Sequence, residues 1–166
     1  IPRVWWQKYA SVLLATDQLY DTNWLLSTPE YQAADIVHCH NLHGRYFNLQ
    51  TLQKMSTEKP VVWTLHDEWA ITPHCAYTLE GTERTHYFFA CPSTRTEPWV
   101  LFNNDARMCA FKRSVYESSQ LTVVTPSRWL GDRVATTPLG QQPQRHIPNG
   151  IDTKIFQPTD QTAARK

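Results

Sequence analysis

Glycine is scarce in this chain of 166 residues. There are five glycines, and the nearest two, Gly131 and Gly140, lie nine positions apart. The glycine-rich loops that hold dinucleotides or nucleotide phosphates, GxGxxG and GxxxxGK[ST], each need glycines within a few positions of one another. The sequence therefore excludes both kinds of phosphate-binding loop.

The chain also lacks an excess of either charge and any long apolar run. Lys and Arg number 16 against 15 Asp and Glu, which leaves a formal net charge of +1. A nucleic-acid binder usually carries a basic patch, so no nucleic-acid partner is expected. The longest apolar runs, 11–15 and 99–102, fall far short of the roughly 20 residues that span a bilayer. Seven Trp and 41% hydrophobic residues are enough for a packed core.

Cysteine is sparse and irregularly spaced, with Cys39, Cys75, Cys91 and Cys109 as the four examples. Four cysteines at these spacings do not indicate a disulfide framework, so reduced thiols in a cytoplasm are expected. The chain opens at Ile1 with neither an initiator Met nor a charged leader, and we expect this start to lie inside a longer polypeptide.

Alternating strand and helix patterns begin near residue 34. Short apolar runs at 35–40 and 60–65 predict buried strands, and Leu49, Leu52 and Met55 recur at helical spacing between them, which together form a βαβ unit. A helix from Asp105, a strand at 121–125, a helix from residue 128 capped by Ser127 and a strand at 144–148 follow. The segment 67–103 shows no period and predicts a long functional loop. The pattern indicates an α/β fold with a mostly parallel, doubly wound sheet.

Polar residues follow each predicted strand, at 38–44, 66–69 and 127–129. Ligands of open parallel sheets bind beyond the carboxyl ends of the strands, so these stretches are expected to meet at one crevice. His66 and Asp67 are the strongest pair, since an imidazole can donate to or accept from a sugar hydroxyl or a phosphate near neutral pH. The alternative is that His66 only bonds a neighbouring loop. Arg128, near a helix start, suits a phosphate, unless it is an ordinary surface arginine.

Two metal sites are alternatives. His38, His40 and His43 match the histidines of the zinc-binding HxHxDH run of metallo-β-lactamase-type hydrolases, but Leu42 stands where that run has Asp, so a metallohydrolase is only an alternative. Along a strand His38 and His40 should point to the same side. His74, Cys75, His86 and Cys91 have ligand chemistry that suits zinc, without a paired CxxC spacing. Free thiols are favoured there, and no metal is expected.

An ordered series of motifs resembles the amino-terminal domain of family 4 glycosyltransferases of the two-domain GT-B fold. The carrying segments are ADIVH at 34–38, HNLHG at 40–44, VWTLHDEWAIT at 62–72, HCAY at 74–77, PSRWL at 126–130 and IPNGID at 147–152. The relatives by motif are transferases of bacterial exopolysaccharide and colanic-acid-type assembly. The resemblance implies a Rossmann-like, partial amino-terminal domain over 1–150 that lacks its first strand. It implies an interdomain linker and the start of a missing donor domain over 151–166.

The resemblance also implies site residues. It places His66 and Asp67 at the reacting groups, and the acceptor and donor-sugar crevice is implied to include Asn41, His43, Gly44, Ser127 and Arg128. Family members transfer a sugar from a nucleoside-diphosphate donor to a saccharide or lipid-linked acceptor with retention of anomeric configuration, and need no further cofactor.

The resemblance further implies a cytoplasmic enzyme, with peripheral association at the inner face of the membrane as an option. The Glu-x7-Glu pair of the family's donor domain does not occur in this sequence, so the isolated chain is expected to be inactive. A non-catalytic carbohydrate-binding module is the remaining alternative, because the many Trp and Tyr rings could stack on sugar faces.

Overall fold

Strands and helices alternate along most of the chain. A computed structural model describes residues 2–14, 16, 18–79, 81, 84–85 and 87–165. The helices are α1 Pro2–Leu14, α2 Pro29–Ala33, α3 Leu49–Glu58, α4 Asp105–Glu117, α5 Arg128–Ala135 and α6 Gln161–Ala164. The strands are β1 Val37–His40, β2 Val61–Thr64, β3 Arg84–Thr85, β4 Phe88–Phe89, β5 Leu121–Thr125 and β6 Gln144–His146. Three 3-10 helices, Asn23–Ser27, Trp69–Ile71 and Pro138–Gln141, complete the described elements.

Four parallel strands form the main sheet in the order β1-β2-β5-β6. Each connection between neighbouring strands contains a helix, the usual crossover between parallel strands. Val61 of β2 lies opposite Val37 of β1 on one side and opposite Leu121 of β5 on the other. The predicted α/β class with a Rossmann-like parallel sheet is confirmed.

Local side-chain chemistry explains where the helices begin and end. The Asn48 side chain accepts from the backbone N–H of Gln50 at 3.0 Å and so starts α3. Ser127 caps α5 by accepting from the N–H of Leu130 at 3.2 Å, as the sequence predicted. Helix α5 ends at Ala135, shortly before Pro138, whose ring disfavours continuation of an α-helix.

The core lies where α4 packs beneath the main sheet. Trp63 of β2 and Tyr116 of α4 are almost fully buried, with ring centroids 6.1 Å apart, and Phe88 packs on the same tyrosine. The apolar residues of β2 and β5 are buried with little alternation, as expected for strands covered on both faces.

The long segment 67–103 is more ordered than its sequence predicts. It contains the 3-10 turn Trp69–Ile71 and a small antiparallel pair, β3 with β4. Its Cys75 and Cys91 form a disulfide, with Cα atoms 5.7 Å apart, which corrects the expectation of four reduced thiols. The spacing along the chain did not reveal the pairing because the loop folds back on itself. Cys39 and Cys109 are buried and take no part in a disulfide.

The last stretch of the chain leaves the sheet. After Ile147, whose N–H donates to the Thr125 carbonyl at 3.1 Å, residues 148–160 contain no strand and are exposed, and the short helix α6 follows. The proposed division into a domain over 1–150 and a linker over 151–166 stays a prediction. Within the described residues, no helix has both the length and the apolar character needed to cross a membrane.

Candidate functional site

A small depression lies at the carboxyl ends of β1 and β2. Parallel strands bring the segments that follow them to one edge of the sheet, so the loop after His40 faces the loop after Thr64. The lining residues are Asn41, Leu42, His43, Trp63, Leu65, His66, Asp67, Trp69 and Ala70. The structure therefore brings together four of the predicted site residues.

His43 and Asp67 form the closest polar pair of the depression. His43 Nε2 lies 2.6 Å from Asp67 Oδ2, and the two side chains are about one fifth and one quarter exposed. The other carboxylate oxygen accepts from the backbone N–H of Trp69 at 2.9 Å. The imidazole ring also contacts the Trp69 ring, with centroids 5.6 Å apart. Asp67 is thus held on both oxygens.

Several opposing effects act on the ionisation of Asp67. Burial acts to raise the pKa of this carboxyl, but the hydrogen bonds from His43 and the Trp69 N–H, with the charges of His43 and Lys112, lower it below its ordinary value. Asp67 is therefore a carboxylate at neutral pH. It can orient His43 and accept hydrogen bonds, but it is not a proton donor.

His66 is hydrogen-bonded to a second histidine. His40 Nδ1 lies 2.8 Å from His66 Nε2, and the two rings stack at 5.1 Å. Both side chains are exposed, and His66 is among the residues that line the depression. One nitrogen of this pair must donate and the other accept, so the bond couples the tautomers of the two imidazoles. His66 thus bonds the last residue of β1, and its role towards a ligand stays a prediction.

His38 lies beside this pair, as the strand geometry predicted. Cys39 is buried, while His38 and His40 point to the other side, with rings 4.3 Å apart. His38 Nε2 lies 2.8 Å from Thr64 Oγ1. Partial desolvation, and then the neighbouring imidazoles of His40 and His66, lower the pKa of His38.

The loop 41–47 turns sharply at two residues with positive φ. Gly44 has φ 101° and Arg45 has φ 65°, and only glycine adopts the former without strain. The turn is tied by the Tyr46 hydroxyl, which donates to the Asn41 carbonyl at 2.5 Å. Gly44 therefore contributes backbone shape next to His43. The roles predicted for Asn41 and Gly44 towards a ligand stay predictions.

Ser127 and Arg128 follow β5 at the same edge of the sheet. Neither belongs to the described residues that line the depression. The Ser127 hydroxyl is engaged as the cap of α5, and the Arg128 side chain is exposed at the start of that helix. Their predicted place in a wider crevice stays a prediction.

The candidate metal ligands of the long loop are engaged elsewhere or lie outside the described residues. His74 Nδ1 lies 3.4 Å from Asp105 Oδ1, and Cys75 and Cys91 are bonded to each other. His86 lies outside the described residues. Across the described part of the chain, no three His, Cys, Asp or Glu side chains are placed to share a metal ion. His38, His40 and His43, the histidines of the HxHxxH run, belong to this part of the chain, and His43 bonds Asp67.

Sequence reasoning missed three residues that support the depression. Glu68 is buried and pairs with Arg133 of α5, whose Nε lies 2.5 Å from Glu68 Oε1. Lys112 of α4 is fully buried and donates to the Trp69 and Thr72 carbonyls at 2.5 and 2.8 Å. The signal for Lys112 was its position in the helical face of Met108 and Val115, where a charged residue needs a specific partner.

The fold and the site define a class: an α/β domain with a parallel sheet and a histidine-rich polar depression at the carboxyl ends of neighbouring strands. The sequence profile of Glycosyltransferase Family 4 matches residues 16–155. The chain belongs to Glycosyltransferase Family 4.

One similar curated protein is WcaC of Escherichia coli (strain K12), whose name describes a colanic acid biosynthesis glycosyl transferase. The two are 30% identical over an aligned length of 129 residues, and the match covers 70% of this chain and 31% of WcaC. The chain thus spans less than a third of the length of that relative. No solved structure matches the chain significantly. The predicted family 4 resemblance, of the exopolysaccharide type, is confirmed.

Proposed function

We propose that this chain is the acceptor-side domain of a retaining glycosyltransferase that acts in polysaccharide assembly. The donor is a nucleoside-diphosphate sugar, and the acceptor is a saccharide or a lipid-linked saccharide. The observation that carries the proposal is the cluster of His66, His40 and the His43–Asp67 pair in a chain of this family. The name of WcaC supports the polysaccharide context.

In this proposal His66 orients the reacting groups. Its imidazole stands at a strand end, exposed to the depression and held by His40. Asp67 holds His43 at the neighbouring position, so one wall of the crevice has two fixed imidazoles and a carboxylate. The leaving phosphate of the donor accepts the proton of the acceptor hydroxyl. Such catalysis depends on holding both reactants in line. Well-oriented reacting groups reach effective molarities of about 10⁵ M or more.

The proposal assigns no turnover to these 166 residues alone. The diphosphate-binding Glu-x7-Glu pair that the resemblance implies does not occur among the seven glutamates of this sequence. Holding the donor diphosphate therefore requires residues from elsewhere.

The experiment measures release of nucleoside diphosphate and transfer of labelled sugar by the native polypeptide that contains these residues. His66→Ala should lower kcat by roughly 10²-fold or more, the range of a lost positioning or proton-handling group. Glu117→Gln is the matched control, because Glu117 ends α4 at the opposite edge of the sheet and is exposed. Unchanged transfer by the His66→Ala enzyme would refute the role of His66, and absence of any transfer would refute the proposed function.

Peripheral attachment at the inner face of the membrane is the proposed location. Three large apolar side chains of α1, Trp6, Tyr9 and Leu13, are 55%, 61% and 45% exposed and recur at helical spacing. Trp and Tyr favour the interfacial region of a bilayer, and such a stripe suits a helix lying in it. Flotation with anionic vesicles should carry the protein, and Trp6→Ser with Tyr9→Ser should reduce it. Equal flotation of both proteins would refute this location.

A further inference from the structure

A buried lysine contacts the turn that follows the candidate site. Lys112 of α4 has no exposed surface, and its Nζ donates to the carbonyls of Trp69 and Thr72 at 2.5 and 2.8 Å. The same ammonium lies 3.6 Å from the centre of the Trp69 ring. A buried ammonium is tolerated only where it is paired or hydrogen-bonded, and the carbonyls of the 69–72 turn supply two such bonds here.

A tyrosine one helical turn further along α4 binds the same turn. The Tyr116 hydroxyl donates to the Ala70 carbonyl at 2.7 Å, and its side chain is fully buried. Positions 112 and 116 lie on one face of a helix. Helix α4 therefore holds three carbonyls of the four residues from Trp69 to Thr72.

Trp69 connects Lys112 and Tyr116 of α4 to the candidate site. Its backbone N–H donates to Asp67 Oδ1 at 2.9 Å, its carbonyl accepts from Lys112, and its ring contacts both the ammonium and the His43 ring. His43 in turn binds the other oxygen of Asp67 at 2.6 Å. A movement of Trp69 would thus disturb both hydrogen bonds of the Asp67 carboxylate.

We propose that Lys112 is a positioning residue of the candidate active site: through Trp69 it holds the Asp67 carboxylate against His43. This role of Lys112 rests on the proposed function, but the effect on Asp67 can be measured without any sugar. Burial, the largest effect, raises the pKa of Asp67; the charge of Lys112 lowers it, together with His43 and the Trp69 N–H.

The charged and titratable groups near Asp67 come from several segments. His43 bonds it from the loop after β1, and the charge of Lys112 acts on it from α4. Its chain neighbours are engaged with other partners, because His66 bonds His40 and Glu68 pairs with Arg133 of α5. A substitution of Lys112 should therefore change the signals of Asp67 and His43 before those of the other groups.

The test is the titration of the Asp67 carboxyl carbon by NMR in the 166-residue chain, with the tautomer of His43 read in the same samples. Lys112→Met should raise the Asp67 midpoint towards the value of an unperturbed aspartate, about 3.9, and weaken the His43 bond. Lys112→Gln keeps a donor without the charge and should give an intermediate result. Arg113→Met is the control, because this cation of the same helix lies over the Tyr87 ring instead.

If Lys112→Met fails to fold, a second variant tests the proposal. Tyr116→Phe deletes only the hydroxyl that binds Ala70, and it should shift the His43 and Trp69 signals while the chain stays folded. Unchanged Asp67 and His43 signals in the folded variants would overturn the proposal.

Enzyme assays of the native polypeptide then separate the two proposals. If transfer occurs and Lys112→Gln lowers kcat with KM unchanged, both stand. If transfer occurs but Lys112→Gln changes neither the Asp67 titration nor kcat, the positioning role alone fails. If Asp67 shifts but no sugar is ever transferred, the proposed function alone fails.

Discussion

Arg133 forms an ion pair with the buried Glu68 that joins helix α5 to the residue directly after Asp67. Arg133 Nε lies 2.5 Å from Glu68 Oε1, and the side chains are 19% and 4% exposed. Thr78 completes the cluster, because its N–H donates to Glu68 Oε2 at 2.6 Å and its hydroxyl accepts from Arg133 Nη2 at 2.6 Å. The guanidinium also lies 3.7 Å from the centre of the Phe89 ring. The long loop is thus fastened next to the candidate site.

Breaking this pair should be costly. Arg133→Met leaves the Glu68 carboxylate buried without its cation and should lower the free energy of unfolding by about 3–5 kcal/mol. Urea unfolding measures the change. The double variant Arg133→Met with Glu68→Gln should recover part of the loss, since no charge is then left unpaired.

Arg128→Met provides the control for that measurement. Arg128 is an exposed arginine at the start of the same helix, and surface substitutions usually change stability by no more than about 0.5 kcal/mol. If Arg133→Met is no more destabilising than Arg128→Met, the ion pair does not hold α5 to the loop.

Asp67 should make stability depend on pH in the acid range. Its folded-state pKa is lowered, with burial opposed by the bonds from His43 and the Trp69 N–H. A depressed folded-state pKa stabilises the protein above the unfolded-state pKa of about 3.9, and this stability is lost as pH falls through the folded-state value. Asp67→Asn should therefore lose less stability than the wild-type chain on acidification through that range. Urea unfolding at several acid pH values tests it, and parallel curves for the two proteins would contradict the assignment.

The sheet could be predicted from sequence because its strands and helices have local signals. Strand β5 was predicted at 121–125 and is observed there, and the Ser127 cap marks the start of α5. The meeting of His43, His66 and Asp67 followed from a topological rule, because the ends of adjacent parallel strands share one edge. Such features depend on residues close together in the chain.

The supports of the site could not be predicted because they join distant residues. Lys112 and Trp69 are 43 positions apart, and Arg133 and Thr78 are 55 positions apart. No sequence spacing predicts either contact. The partner of Lys112 is a backbone carbonyl, a group that every residue has, so the sequence does not distinguish it. The Cys75–Cys91 bond was missed for the same reason, because only the folded loop brings the two thiols together.

His38 should titrate below an ordinary histidine, whose pKa is about 6.5. Partial desolvation and the imidazoles of His40 and His66 are the causes, in that order. NMR titration of the ring protons should give a midpoint below that of a histidine in the unfolded chain. His40→Gln should raise the midpoint without restoring it fully, since the desolvation remains. A midpoint unaffected by His40→Gln would show that the neighbouring imidazole has no part in the shift.

The two thiols outside the disulfide, Cys39 and Cys109, should react very slowly. Burial is the largest cause that raises the pKa of Cys39 and of Cys109, each to about 11, and their exposed fractions are 8% and 1%. At about pH 8 roughly one thiol in a thousand is then ionised, and the thiolate is the reacting form. Iodoacetamide should label neither cysteine in the native chain and both in urea, as mapped by mass spectrometry. Rapid labelling of Cys39 in the native state would contradict its burial.

The disulfide should contribute substantially to stability, because it closes a long segment beside the candidate site. Cys75 and Cys91 are 16 positions apart, and Cys75 has no exposed surface. In the chain-entropy account a closed loop of about 15 residues stabilises by about 3 kcal/mol. Reduction should lower the free energy of unfolding by about that amount, measured in urea with and without reductant. The Cys75→Ala, Cys91→Ala double variant should not respond to reductant, and a wild-type chain equally insensitive to reductant would show that the bond does not stabilise the loop.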